Sequence, residues 1–320
     1  MDYQIELSNK SLYYPLMIAA CRGNSQIVKN LLMNKTVDYD CYDRVTGVNS
    51  FWLAAYFGHG NIIEILGNLK ANVLCTHKVT KSNALHIAVQ RKNYNIAWQL
   101  ILSGFPINDT MQGNISALMI LVKETNNKNA QKLAIELVKR GAFIDQATDD
   151  GFTSLSLCVI HSNIEMAKFL VSSGADMFCQ RIEFRDNSPF FVAIRQESVW
   201  AIELFCDNGA KLDTPSKEGL NIMIYANEFN FDNICMYLSL RCKNVDLEDK
   251  DGENIFTRYL YKKDLERMSK LLKRGCDINY INTKFGFTPL HHAIEAKMAS
   301  KFVKFLLRNG ANPHIEDFQG

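Results

Sequence analysis

Thr288-Pro289-Leu290-His291-His292-Ala293 opens the stretch that decides the fold; the apolar residues Phe302, Val303, Phe305, Leu306 and Leu307 follow at helical spacing, then Asn309-Gly310-Ala311-Asn312. Thr288 is placed as an N-cap, its hydroxyl free to accept an orphan amide of the first turn, and Pro289 suits the first helical position because it has no N–H to lose. The second apolar stretch stops at Gly310, a residue fitted to a left-handed C-cap. Helix, turn, helix and an extended connector can therefore be read from about 25 residues.

The same pattern recurs toward the N-terminus. Taking the residue at the Ala293 place as a marker gives Ala19, Ala54, Ala88, Leu121, Cys158, Ala193, Ala226, Tyr259 and Ala293, at intervals of 33 to 37 residues. A second register, the end of the second apolar stretch, gives Gly104, Gly141, Gly174, Gly209, Gly275 and Gly310, with Lys35, Lys70 and Cys242 in the other three places. The registers stand 16 residues apart in seven repeats, 20 in the fourth and 17 in the ninth, so the helical pair is the rigid block. Ser188-Pro189 repeats the capping device, and Asn83, Ser116, Thr153, Asn221 and Asn254 supply capping side chains at the same place. Asp150-Gly151, Glu218-Gly219 and Asp251-Gly252 supply tight turns. In the fourth repeat the extra residues include Asn126-Asn127-Lys128-Asn129, which predicts a longer loop between its helices; trimming four residues there is expected to leave the melting temperature nearly unchanged. Tyr259, large where the other markers are small, predicts awkward packing in the eighth repeat.

The pattern resembles the ankyrin repeat, with T-P-L-H-x-A matched in full at Thr288 to Ala293 and in part at Asn83-Ala84-Leu85-His86-Ile87-Ala88. The resemblance runs over residues 14–320 and implies an all-α solenoid of nine stacked helix-turn-helix repeats with β-hairpin-like connectors, each repeat touching only its neighbours. Residues 1–13 are then an N-terminal cap segment, and Ile315 to Gly320 read as the lead into a tenth repeat, because Gly320 lies 34 residues after Gly286.

Composition narrows the function. Lys plus Arg number 36 against 34 Asp plus Glu, a net charge of +2, which provides no strong field for a polyanion. The start carries Asp2 and Glu6 and no apolar leader, and no segment reaches 18 uninterrupted apolar residues. Nine cysteines without a CxxC pair fit a reducing compartment, so the expectation is a cytoplasmic protein, with the nucleus left open. Cys158 and Cys206, inside apolar helical patterns, read as small core hydrophobes. By the resemblance, His86 and His291 brace the turn between repeats. His291 and His292 are adjacent on a helix and point in different directions, unlike an i, i+4 ligand pair, so no metal is assigned. No nucleophile elbow, phosphate-cradling loop or kinase signature occurs, and the expectation is no cofactor and no enzymatic activity.

The resemblance further implies a protein partner on the concave side, built from hairpin tips and the exposed end of each first helix. The candidates are Tyr56, Phe57, Arg91, His161, Arg195, Phe229 and Tyr261 on first helices, and Tyr42, Phe152, Phe285 and Phe287 at hairpins, since interface anchors favour aromatics and Arg. Two successive rings on one short helix cannot both point inward, so Tyr56 and Phe57 are expected to form an anchor whose removal leaves stability intact. The resulting reading is a monomeric intracellular scaffold or adaptor that binds no nucleic acid and does not insert into a membrane. The alternative is the recognition segment of a larger enzyme or membrane channel, cut at Gly320.

Overall fold

A computed structural model describes residues 14–34, 37–69, 72–178, 187–213, 222–249 and 251–319. The N-terminal cap segment, the cap Asn221, the turn Glu218-Gly219, the markers Lys35 and Lys70, Cys179 and Gly320 lie outside the described residues. The helices fall into two compact units, residues 1–176 and 177–320.

The first unit holds five helix pairs: α1 (Pro15–Cys21) with α2 (Ser25–Met33), α3 (Ser50–Phe57) with α4 (Gly60–Asn68), α5 (Ala84–Gln90) with α6 (Tyr94–Leu102), α7 (Ala117–Leu121) with α8 (Lys128–Lys139), and α9 (Ser154–Ile160) with α10 (Ile164–Ser172). The second unit holds four: α11 (Pro189–Arg195) with α12 (Val199–Asp207), α13 (Ile222–Glu228) with α14 (Asp232–Ser239), α15 (Ile255–Tyr261) with α16 (Leu265–Lys273), and α17 (Pro289–Glu295) with α18 (Ser300–Arg308). Each pair packs internally, and first helices pack on first helices of the next repeat within each unit. Short strands β1 (Thr110–Met111) and β2 (Ile115–Ser116) pair antiparallel, and Tyr42 with Asn49 and Ala147 with Thr153 form isolated bridges.

The caps act as their chemistry requires. Asn83, Ser116, Thr153, Asn254 and Thr288 each accept the amide three residues ahead, whereas Ser188 makes no cap bond. In four of these the residue at that place returns the bond to the cap's own amide: His86, Ser156, Thr257 and His291. Each glycine of the second register has φ between 80° and 98°, as a left-handed cap needs. A second left-handed residue falls four after the marker, between the two helices: Gly23, Gly58, Lys92, Ser162, Glu197, Asn230, Lys263 and Lys297.

The fourth repeat lacks that left-handed break, and its extra residues lengthen the loop, as expected, and also the second helix. Six residues, 122–127, separate α7 from α8, against three between α5 and α6, but Lys128 and Asn129 belong to α8 itself. Asn127 caps α8, accepting from the amides of Asn129 and Ala130 at 3.0 and 3.2 Å, and its side-chain amide donates to the Tyr94 hydroxyl at 3.2 Å. Asn127→Ala is therefore expected to cost about 1 kcal/mol in urea denaturation; a loss within error would place the segment back among dispensable loops. Tyr259 also departs from expectation. It is fully buried, and its hydroxyl donates to Asp232 Oδ1 at 3.2 Å, so a polar partner accommodates the large marker.

Polar rungs join several neighbouring repeats within each unit. In the first unit Asp40, Asn108 and Asp145 accept the backbone amides of Asn72, Phe143 and Asp176 at 2.5, 2.9 and 2.9 Å. In the second, Asp213, Asp246 and Asn279 accept those of Lys243, Asp277 and Asn312 at 3.1, 3.1 and 2.7 Å. Hairpin tips are tied by backbone bonds as well, Lys78 to Thr46, Gln112 to Thr80 and Asp149 to Gly113.

Candidate protein-binding faces

In the first unit the candidate face begins with α3, whose sequence SFWLAAYF is apolar all round, so not every ring can be covered. Trp52 and Tyr56, one turn apart, stack with centroids 5.5 Å apart, and the Trp52 indole N–H donates to the Ser82 carbonyl at 2.9 Å. The Arg91 guanidinium of the next repeat lies 4.6 Å over the Tyr56 ring. Tyr56 is consequently 8% exposed, while Phe57, edge-on to it at 4.9 Å, is 41% exposed. The expectation of an anchor made of both rings is corrected: Tyr56 is a packed residue, and Phe57 alone presents its ring. Arg91 is exposed beside them. Tyr42 is exposed at the first hairpin, Phe152 is half-buried at another, and His161 is exposed at the end of α9. Partial burial, and secondarily Lys123, hold the His161 imidazole below its ordinary pKa.

In the second unit Phe229 is 41% exposed and packs on Tyr225 and Phe231 at 5.0 and 5.8 Å. Tyr261, Phe285 and Phe287 come together around His292. The Tyr261 hydroxyl is 2.7 Å from His292 Nδ1, Phe287 lies 5.4 Å from the His292 ring and 5.6 Å from His291, and Phe285 lies 5.8 Å from Phe287. Tyr261 and Phe285 are exposed and Phe287 is half-buried. Arg195 is half-buried and donates from Nη2 to Asn187 Oδ1 at 3.0 Å.

The polar staples behind these faces escaped sequence reasoning. His59 Nε2 donates to the Cys21 carbonyl at 3.0 Å, Asn93 Nδ2 to the Ala55 carbonyl at 2.9 Å, and Asn163 Nδ2 to the Val122 carbonyl at 2.8 Å. Each satisfies a carbonyl at the C-terminal end of the first helix of the preceding repeat. Their signal was present: a polar side chain five residues after the marker.

Among the described residues no group of three or more His, Cys, Asp or Glu could hold a metal ion. The described cysteines are free thiols. Cys158 is fully buried and Cys206 partly; burial pushes Cys206 up to about 11 and Cys235 to about 12, which keeps both protonated. No helix among the described residues is long and apolar enough to cross a membrane.

Comparison with known proteins gives a consistent result. A family model described as ankyrin repeats (3 copies) matches residues 16–111, 85–181 and 222–317. The chain is 24% identical over 347 residues to an ankyrin repeat protein of Acanthamoeba polyphaga mimivirus, covering 99% of this chain and 44% of that protein. It is 27% identical over 244 residues to the human transient receptor potential cation channel subfamily A member 1, covering 73% of this chain and 21% of the channel. The chain thus spans less than half the length of either relative. Among solved structures, the human ASB11 ankyrin repeat domain matches with a TM-score of 0.52 at 21% identity, over 66% of this chain and 90% of that one.

Proposed function

We propose, from the premise that the chain belongs to the ankyrin-repeat family, that it is an intracellular scaffold or adaptor whose partner docks on the hairpin tips and first-helix ends. Ankyrin repeats are protein–protein interaction modules, and the fold is typically non-catalytic. The observation that carries the finer reading is the recurrence of half-exposed rings at the end of the first helix. Phe57 and Phe229 stand three residues after their markers and Tyr261 two after its own, each about 40% exposed on rings or helices that are themselves packed. Aromatics held rigidly at a surface give contact area at little entropic cost, which is how interface anchors work. On this reading the protein acts as a cytoplasmic monomer without metal or cofactor.

Affinity capture from native cytosol, followed by titration of the captured partner, tests the proposal. Phe57→Ser or Phe229→Ser is expected to weaken one partner by about tenfold or more while leaving the circular dichroism spectrum unchanged. Retention of every partner at unaltered affinity by both variants would remove these rings from the interface.

One observation favours a second reading, in which the repeats are the recognition segment of a larger protein. The likeness to the human cation channel covers most of this chain but only 21% of the channel. The full reading frame around the gene decides it: a continuation past Gly320 into apolar spans or an enzyme domain supports this reading, and a stop codon there ends it.

A further inference from the structure

Residues 262–308 carry 11 Lys and Arg against 4 Asp and Glu, a net of +7, in a chain whose total is +2. The excess gathers on α16 and α18, the second helices of adjacent repeats whose first helices pack on each other. In α18, Phe302 and Leu306 are buried, and Lys301, Lys304 and Arg308, at i, i+3 and i+7, make one exposed stripe on the other side. In α16, Met268 and Leu271 are buried and Lys270 and Lys273 are exposed. Lys270 pairs with Glu266 at 2.6 Å; Lys273, Lys301, Lys304 and Arg308 pair with no described acidic residue.

Two more lysines break local rules to stand at the heads of these helices. Lys263 and Lys297 hold left-handed backbone, φ 60° and 49°, at the place where Gly23 and Gly58 do so without strain. They also sit before helix N-termini, where positive charge is disfavoured. Lys92, at the same place in the first unit, is accounted for by its pair with Glu124 at 2.9 Å; Lys263 and Lys297 have no such pair among the described residues. Acids on the hairpin before α15 are engaged there, Glu248 by the Thr283 amide at 2.8 Å, Asp249 by Arg258 at 2.6 Å and Asp251 by Lys284 at 3.3 Å.

We infer that the exposed stripes of α16 and α18 form a second docking surface, distinct from the first-helix aromatics, and that its occupant is an acidic amphipathic helix of a protein partner. Carboxylates at i, i+3 and i+7 of such a helix match the spacing of Lys301, Lys304 and Arg308, and the half-exposed Leu307 beside them offers apolar contact. A single-stranded nucleic acid would want rings to stack on, but the aromatics of α18, Phe302 and Phe305, are buried and half-buried and α16 has none. A lipid surface would want Trp or Tyr at the interface, and neither helix carries one. This surface presupposes the protein-binding reading above but uses a different face.

Fluorescence anisotropy with the full chain tests it, the probe being a labelled synthetic helix of Glu and Leu in amphipathic order. Its Gln-for-Glu analogue, vesicles of phosphatidylserine in phosphatidylcholine, and duplex DNA are run beside it. Binding of the acidic helix alone is expected, weakening as salt rises. Lys301→Glu/Lys304→Glu/Arg308→Glu should weaken it about tenfold or more. The Gln triple variant should weaken it less and serves if the reversal disturbs folding, as judged by circular dichroism. Phe229→Ser/Tyr261→Ser, on the first-helix ends, should bind the probe normally. No binding, equal binding of the Gln analogue, tighter binding of vesicles or DNA, or indifference to both triple variants overturns the inference. If only the Phe229→Ser/Tyr261→Ser variant loses the probe, the first-helix reading stands and the outer surface falls.

Discussion

Tyr56→Ala is expected to lower the unfolding free energy by about 3 kcal/mol, close to the cost of removing a buried aromatic side chain from a core. The ring is sandwiched: Trp52 stacks on it at 5.5 Å, Arg91 from the following repeat covers it at 4.6 Å, and Phe57 meets it edge-on at 4.9 Å. Deleting it opens a cavity at the joint between repeats and strips Arg91 of its aromatic partner. Phe57→Ser, one residue along, removes a ring that is 41% exposed and should change stability by no more than about 1 kcal/mol. Urea denaturation of the two variants measures both. Equal losses would mean that Phe57 is as structural as its neighbour and that the first-unit face lacks its anchor.

The second large effect depends on pH. His86 sits in the first turn of α5, 1% exposed, and accepts the Asn83 amide at Nδ1. Burial pulls its pKa from 6.5 to about 4, against a smaller opposing pull from the backbone and carboxylate of Asp109 and the backbone of Ile115. In the unfolded chain the imidazole titrates near 6.5, so between the two values the unfolded state takes up a proton that the folded state refuses. The contribution of His86 to stability is therefore whole above pH 6.5 and lost as pH falls toward 4, by about 3 kcal/mol in all. His77, His161 and His292 are shifted in the same direction, and the raised carboxyls of Asp145, Asp246 and Glu253 act in the opposite sense at lower pH. A variant must isolate the share of His86. Thr257 and Ser156 close the same capping box in other repeats, so His86→Thr should keep the box without the titration. Denaturant unfolding of parent and variant from pH 7 to 4 should show a shallower decline in His86→Thr; parallel declines would assign the acid sensitivity to other groups.

What the sequence made legible were interactions confined to one helix. Thr288, Thr153, Asn254 and Asn83 were read as caps because the amide each accepts is three residues away. The two registers were legible because apolar period and glycine placement are local too. Contacts that cross a repeat boundary were not. Whether Tyr56 or Phe57 turned inward depended on Arg91, 35 residues later, and the fit of Tyr259 depended on Asp232, 27 residues earlier. The polar insert of the fourth repeat looked like loop, since nothing local distinguishes an Asn that caps a helix from one that faces water. Only the Tyr94 hydroxyl in the preceding repeat, and the helix Asn127 heads, reveal which it is. The acceptors four residues after the glycine register, Asn108, Asp145, Asp213, Asp246 and Asn279, were in view as a column of Asn and Asp. Their amide partners lie 30 to 35 residues on, beyond any local window.

Those rungs have a mechanical meaning. Each spans one repeat and the next, beside the hairpin-tip bonds, across the line along which neighbouring repeats would separate. A chain pulled from the two ends of the first unit would load them in series, so that Asp40, Asn108 and Asp145 yield one after another rather than together. Each release frees roughly one repeat of slack, and recoil needs only to rejoin neighbours, with no long loop to close first. The unit would lengthen in repeat-sized steps and recover the same way, as a spring that opens coil by coil.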